Sequence, residues 1–154
     1  MTVFRLVEDD LTGPEIAALL QVHLDSMHAH SPPGSVHALN LDALRSPDIS
    51  FWSVWDATQL AGCGALKELG PDSGEIKSMR TAKTHLRRGV ASQVLSHMLA
   101  IARGRGYRQI FLETGSGSPF FPAHRLYEHF GFQPCGPYAD YKDDVFSRYY
   151  TLIL

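Results

Sequence analysis

Apolar residues along this chain change period several times, and each change marks an element. Residues 2–7 read as a first strand. Ile16, Leu19, Leu20, Leu24 and Met27 then recur at helical intervals, one face of a helix. Ahead of them Thr12-Gly-Pro-Glu15 reads as a capping box, with Thr12 as N-cap and Glu15 reaching back. Ser31-Pro-Pro-Gly-Ser35 is a loop, and a short helix over 41–45 is stopped by Ser46-Pro47. Strands over 49–55 and 59–69 form a hairpin through 56–58, a turn fills 70–74, and a strand covers 75–81. Val90, Val94, Leu95, Met98, Leu99 and Ala102 restore helical spacing until Gly104 and Gly106 end it. A strand over 109–114 places Ile110 and Leu112 on one side. Pro122 suits the first turn of a helix carrying Ala123, Leu126, Tyr127 and Phe130 on one face, with Gly131 closing it. A short strand at 132–134, a polar loop at 137–144 and a β-rich segment over 145–154 complete the chain.

This order predicts one mixed α/β domain over residues 1–154. The 154 residues suffice for a proper core. With 44% hydrophobic and 19% charged residues the chain is globular rather than disordered. A net charge of −2 supplies no general attraction to nucleic acid, so any anion site must be local. Cys63 and Cys135 form no metal or redox motif. No apolar run reaches the roughly 18 residues of a membrane span. Glu8, Asp9 and Asp10 come too early for a signal peptide, so a cytoplasmic protein without membrane association is expected.

Between the strand at 75–81 and the helix beginning near Val90 lies a short basic loop, Leu86-Arg87-Arg88-Gly89-Val90-Ala91. The N–H groups of a helix start lack intrahelical partners, and the macrodipole adds positive potential there. Gly89 allows close backbone approach, while Arg87 and Arg88 add formal charge. A phosphate fits such a place.

The stretch resembles motif A of the GNAT superfamily of acyl-CoA-dependent N-acetyltransferases, Arg/Gln-x-x-Gly-x-Gly/Ala, with Leu86 where the motif has Arg or Gln. Downstream, Leu126-Tyr127-Glu128-His129-Phe130-Gly131-Phe132 resembles the family's Leu-Tyr-x-x-x-Gly-Phe at the family's distance from Gly89. The resemblance covers about 49–154. It implies a mostly antiparallel sheet in which the parallel strands at 75–81 and 109–114 splay apart, with acyl-CoA in the splay. It assigns the cofactor to Met79, Arg80, Thr81, Arg87, Arg88, Gly89, Val90, Ala91 and Ser92, with backbone groups of Met79 and Thr81 polarising the thioester.

Acetyl transfer to an amine expels a thiolate, which a phenol can protonate, and needs a base for the acceptor ammonium. The resemblance puts the acid at Tyr127, a residue otherwise read as core. Glu75 is the expected base, otherwise a solvated carboxylate after a turn, and Glu113 is its rival. His23, His28, His30 and His37 gather near the first loop without completing a metal spacing, so no metal is expected. Gly62-x-Gly64 and Gly115-x-Gly117 do not complete a dinucleotide fingerprint.

The implied activity is transfer of acetyl from acetyl-CoA to a primary amine by direct attack in a ternary complex. The alternatives are a non-catalytic acyl-CoA-binding or regulatory module and a protein or peptide N-acetyltransferase. A small-molecule amine is the expected acceptor; a homodimer is compatible with the reading. Glu75, Glu113, Asp140, Asp143 and Asp144, the loop with His28, His30, Ser31 and His37, and the aromatic Trp52, Tyr138 and Tyr141 are expected around it.

Overall fold

The structure, a computed structural model, describes residues 3–154. Its strands are β1 (Arg5–Glu8), β2 (Ile49–Asp56), β3 (Gln59–Gly70), β4 (Ser73–Thr81), β5 (Gln109–Gly115), β6 (Gln133–Cys135) and β7 (Ser147–Ile153). Its α-helices are α1 (Pro14–His30), α2 (Leu41–Leu44), α3 (Val90–Gly104) and α4 (Phe121–His129). The strands form one seven-stranded sheet in the order β1-β2-β3-β4-β5-β7-β6. All neighbours are antiparallel except β4 and β5, which are parallel.

Strand alternation sorts the apolar side chains into two cores. Phe51, Cys63 and Ala65 face α1 and α2, where Ile16, Leu19, Leu20 and Leu44 are buried against them. Trp52, Val54, Leu66, Ile76, Ile110 and Leu112 face the other way, onto α3. There Val90, Val94, Leu95, Met98, Leu99 and Ala102 make the buried stripe that the helical spacing predicts. Each large side chain so buried contributes about 1.5–3 kcal/mol relative to exposure. The sequence pair Gly62-x-Gly64 has a packing reason: a Cβ on Gly62 would meet Val90 Cγ1 at 2.7 Å, and one on Gly64 would meet Met98 Cε at 2.8 Å. These glycines let α3 lie close on β3.

Three expectations need correction. The first strand begins at Arg5, and Thr2 lies outside the described residues. Thr12 does not cap α1. Gly13 is the N-cap without a side-chain bond, and Thr12 Oγ1 donates instead to Asp10 Oδ1 at 2.6 Å. Pro14, next in line, has no N–H to be capped. Trp52 is no pocket wall: it is 4% exposed in the α3-side core, edge-on to the His97 ring.

Candidate active site

The sheet opens between its two parallel strands. β4 and β5 are paired only from Ser73 with Gln109 to Ile76 with Leu112. β5 then continues against β7 as far as Gly115, while β4 leaves. The cause is local. Cys63 pairs with Arg80 and Ala65 with Lys77, so Gly64 faces two residues, and Ser78 within that step has a φ of 53°. An extra residue in one strand is a β-bulge, which bends the strand and re-aims the residues beyond it. Past Ile76 the β5-side edge of β4 carries backbone groups without a strand partner. A cavity of about 630 Å³ fills the gap, with 76–81 on one wall and Glu113, Thr114 and Gly115 on the other.

The basic loop closes one end of this cavity. After a 3₁₀ turn, Lys83–His85, the chain takes positive φ at Arg87 (60°) and Gly89 (82°) and enters α3 with no side-chain cap. The first-turn N–H groups are therefore uncovered, beside Ala91 and Ser92 of the cavity lining. Of the two arginines, only Arg87 lines the cavity. Arg88 turns outward, 3.3 Å from Asp56 Oδ2 and over the Phe4 ring at 5.6 Å. His85 Nε2 meets the same Asp56 oxygen at 3.0 Å. Arg88 and His85 thus peg the loop to the β2–β3 hairpin, while Arg87 lines the cavity. Leu86, in the first motif position, is 55% exposed at the cavity rim.

Tyr127 reaches the cavity from α4, its ring against Phe132 and Tyr150 at centroid distances of 5.9 and 6.1 Å. Its hydroxyl has no hydrogen-bond partner among the described residues. Burial, reinforced by the Glu113 charge, pushes the phenol up to about 12, so it keeps its proton at neutral pH. Glu113, on β5, lines the same cavity. Burial pushes its carboxyl up to about 7, against the opposing pull of the Ser147 hydroxyl and the Lys77 ammonium.

Glu75 is placed differently. It is 2% exposed, and its Oε2 accepts from Tyr138 Oη and Tyr141 Oη, each at 2.6 Å, with Lys77 Nζ at 3.4 Å. Burial and the Glu75 charge push both phenols well above their ordinary value. Tyr138 also stacks on Phe111 at 4.6 Å. Glu75, Lys77 and His37 border both the main cavity and a second one of about 410 Å³ beneath residues 139–144. The loops from the two halves of the chain meet there: Ser35 Oγ donates to Asp144 Oδ2, and the His37 ring stands edge-on to Tyr141 at 5.0 Å. Asp140, Asp143 and Asp144 line the smaller cavity.

The remaining candidates divide. Met79, Arg80, Thr81, Gly89 and Val90 line the main cavity. His30, Ser31 and His37 do too, although His30 is still on α1; His28 is exposed and lines neither cavity. Among the described residues no three His, Cys, Asp or Glu side chains group to hold a metal ion. Two features escaped sequence reading. One is the tyrosine clamp on Glu75, made across 63 and 66 residues of chain. The other is Arg80 Nε donating to His23 Nδ1 at 3.0 Å. Only the nearness of Lys77 to Glu75 had a signal, since residues two apart on a strand share a face.

Comparison with known proteins bears on this site. The sequence model of the acetyltransferase (GNAT) family matches residues 16–132. The uncharacterised N-acetyltransferase YsnE of Bacillus subtilis is 57% identical over 143 residues, 93% of this chain and 95% of that one. The uncharacterised N-acetyltransferase YedL of Escherichia coli is 49% identical over 152 residues, 99% of this chain and 96% of that one. Among solved structures, a GNAT family acetyltransferase from Elizabethkingia anophelis with acetyl-CoA bound superposes with a TM-score of 0.73 at 16% identity, over 98% of each chain. At that identity the likeness concerns the fold.

Proposed function

The chain belongs to the GNAT acetyltransferase family and is an N-acetyltransferase, and from that premise we propose that it moves acetyl from acetyl-CoA directly to a small primary amine. Support for the donor comes from the acetyl-CoA held by the E. anophelis protein of like fold. The observation that carries the reading is the cavity between β4 and β5, into which Tyr127, Glu113 and the uncapped start of α3 all open. In this reading the donor phosphates lie at the α3 N–H groups and Arg87, and the free β4 edge beyond Ile76 holds the pantetheine arm and polarises the thioester carbonyl.

Glu113 takes the proton from the acceptor ammonium. A carboxyl near 7 is matched to that task at neutral pH, because it is substantially ionised yet still basic. The amine nitrogen forms the N–C bond, the C–S bond breaks, the Tyr127 hydroxyl gives its proton to the departing thiolate, and the second proton shed by the new amide nitrogen restores the phenol. Glu75, with one oxygen held by three donors, orients the acceptor mouth instead of acting as base. A covalent acyl-enzyme is disfavoured: the buried Cys63 thiol is pushed up to about 12 by burial, and burial also raises Cys135. Thiol release from acetyl-CoA, followed across small amines and lysine-containing peptides, tests the proposal. Turnover with a small amine is expected. Tight acetyl-CoA binding without turnover on any acceptor would make the chain a binding module, and turnover on peptides alone would move the acceptor assignment.

A further inference from the structure

The α1 wall of the main cavity carries a positive charge that forms no ion pair among the described residues. Arg80 is half-buried on β4 and lines the cavity. Its Nε donates to His23 Nδ1 at 3.0 Å, and among the described residues it forms no ion pair. Two carboxylates of the surrounding strands and loops have other partners. Asp9 accepts from Ser53 and the Leu11 N–H, and Glu75 from Tyr138, Tyr141 and Lys77. His23 supplies no charge of either sign: it is 7% exposed, and burial with Arg80 beside it lowers the imidazole to about 4, neutral at pH 7. Because Nδ1 accepts from Arg80, the ring proton sits on Nε2. That N–H and the terminal guanidinium nitrogens have no protein acceptor among the described residues, and both residues border the cavity. A half-buried guanidinium with unused donors is costly to keep unless an anion comes to it.

The anion in question is not the donor's phosphate. Thr81 pairs with Gly62, whose Cβ position abuts Val90 of α3, whereas Arg80 pairs with Cys63, which is buried in the α1-side core. Arg80 thus projects from the sheet face opposite the start of α3. Lys77 and Arg87 also line the cavity, but Lys77 is engaged with Glu75 and Tyr141 and Arg87 lies at the approach to α3, which leaves one guanidinium on the α1 wall, a match for a single carboxylate. We propose that Arg80 and His23 form a carboxylate-binding subsite, so that the acceptor is an amine carrying a carboxylate, such as an amino acid or short peptide, rather than a polyamine. This rests on the acetyltransfer reading.

The test pairs amino acids, ω-amino acids and dipeptides with their own carboxamides, in two arms. In turnover, the acid of at least one pair should exceed its amide in kcat/KM by about tenfold or more, the range of a lost charge-assisted bond. Arg80→Gln should collapse that ratio toward one, and Arg80→Lys should retain part of it. In binding, the same pairs are titrated calorimetrically into protein saturated with coenzyme A, which reads the subsite even if no acceptor turns over. Failure of all turnover together with acid-selective binding would remove the acetyltransfer reading and keep the subsite. Equal treatment of acids and amides in both arms would overturn the subsite. So would a loss of acetyl-CoA affinity in Arg80→Gln with the acid–amide ratio intact, which would assign Arg80 to the donor.

Discussion

At the scale of single residues, the proposed chemistry divides between two groups that burial tunes in the same direction with opposite uses. Burial keeps Tyr127 protonated, as the proposed acid must be, and raises Glu113 toward neutrality, as the proposed base needs. Tyr127→Phe should lower turnover by roughly 10²-fold, the size of a lost general acid, while acetyl-CoA still binds. Undiminished turnover would return Tyr127 to the core. For Glu113 the expectation is a kcat/KM that rises with pH and levels off above about 7. Glu113→Gln should erase that inflection. The same shift has a consequence for stability. The folded carboxyl binds its proton more tightly than the ordinary 4.5, so its contribution is fully present below 4.5 and lost as pH rises through about 7. Glu113→Gln should therefore stabilise the fold at pH 8 by on the order of 2 kcal/mol, read by chemical denaturation, and change little at pH 4. A destabilised variant at pH 8 would contradict the assigned burial cost.

At the scale of elements, one bulge and one uncapped helix make the cavity. The bulge around Ser78 separates β4 from β5, and the positive φ at Arg87 and Gly89 aims the α3 N–H groups into the opening. The two arginines then differ in kind. Arg87→Ala should weaken acetyl-CoA binding about tenfold or more, from loss of a charge-assisted contact. Arg88→Ala should cost less affinity, because its side chain is engaged with Asp56 and Phe4 and acts through the loop's position. Calorimetry on the two single variants decides, and equal losses would place both arginines on the ligand.

At the scale of the whole molecule, Glu75 ties the sheet to the loop between β6 and β7, and the loop after α1 closes onto the same point through Ser35 and His37. Glu75→Gln leaves the ammonium of Lys77, whose side chain is 9% exposed, without its carboxylate. Breaking such a buried pair costs about 3 kcal/mol or more. A fall in Tm of roughly 6–12 °C should follow in a chain of this length, with faster hydrogen exchange in residues 136–146. If Glu75→Gln instead keeps its Tm and loses turnover at neutral pH with recovery at high pH, Glu75 is the base and Glu113 is not.

Much of this was legible in the sequence because it depends on neighbours along the chain. The period of apolar residues outlines α3 and the strands, and Gly89 marks the start of α3. Leu126-Tyr127 with Gly131-Phe132 marks the helix that carries the phenol. Even there, the capping box at Thr12 misled, since Pro14 needed no cap and Asp10 took the hydroxyl. What tertiary structure alone decided is which side chains share a space. Arg87 and Arg88 are adjacent and chemically alike, yet the positive φ of Arg87 and the position of Asp56 send them opposite ways. Trp52 and Tyr138 are both aromatic, but alternation on β2 sends one beneath α3, while the loop after β6 brings the other to Glu75. Strand parity and long-range pairing set these contacts, as they set the meeting of Arg80 with His23 across 57 residues. Composition and local spacing record neither.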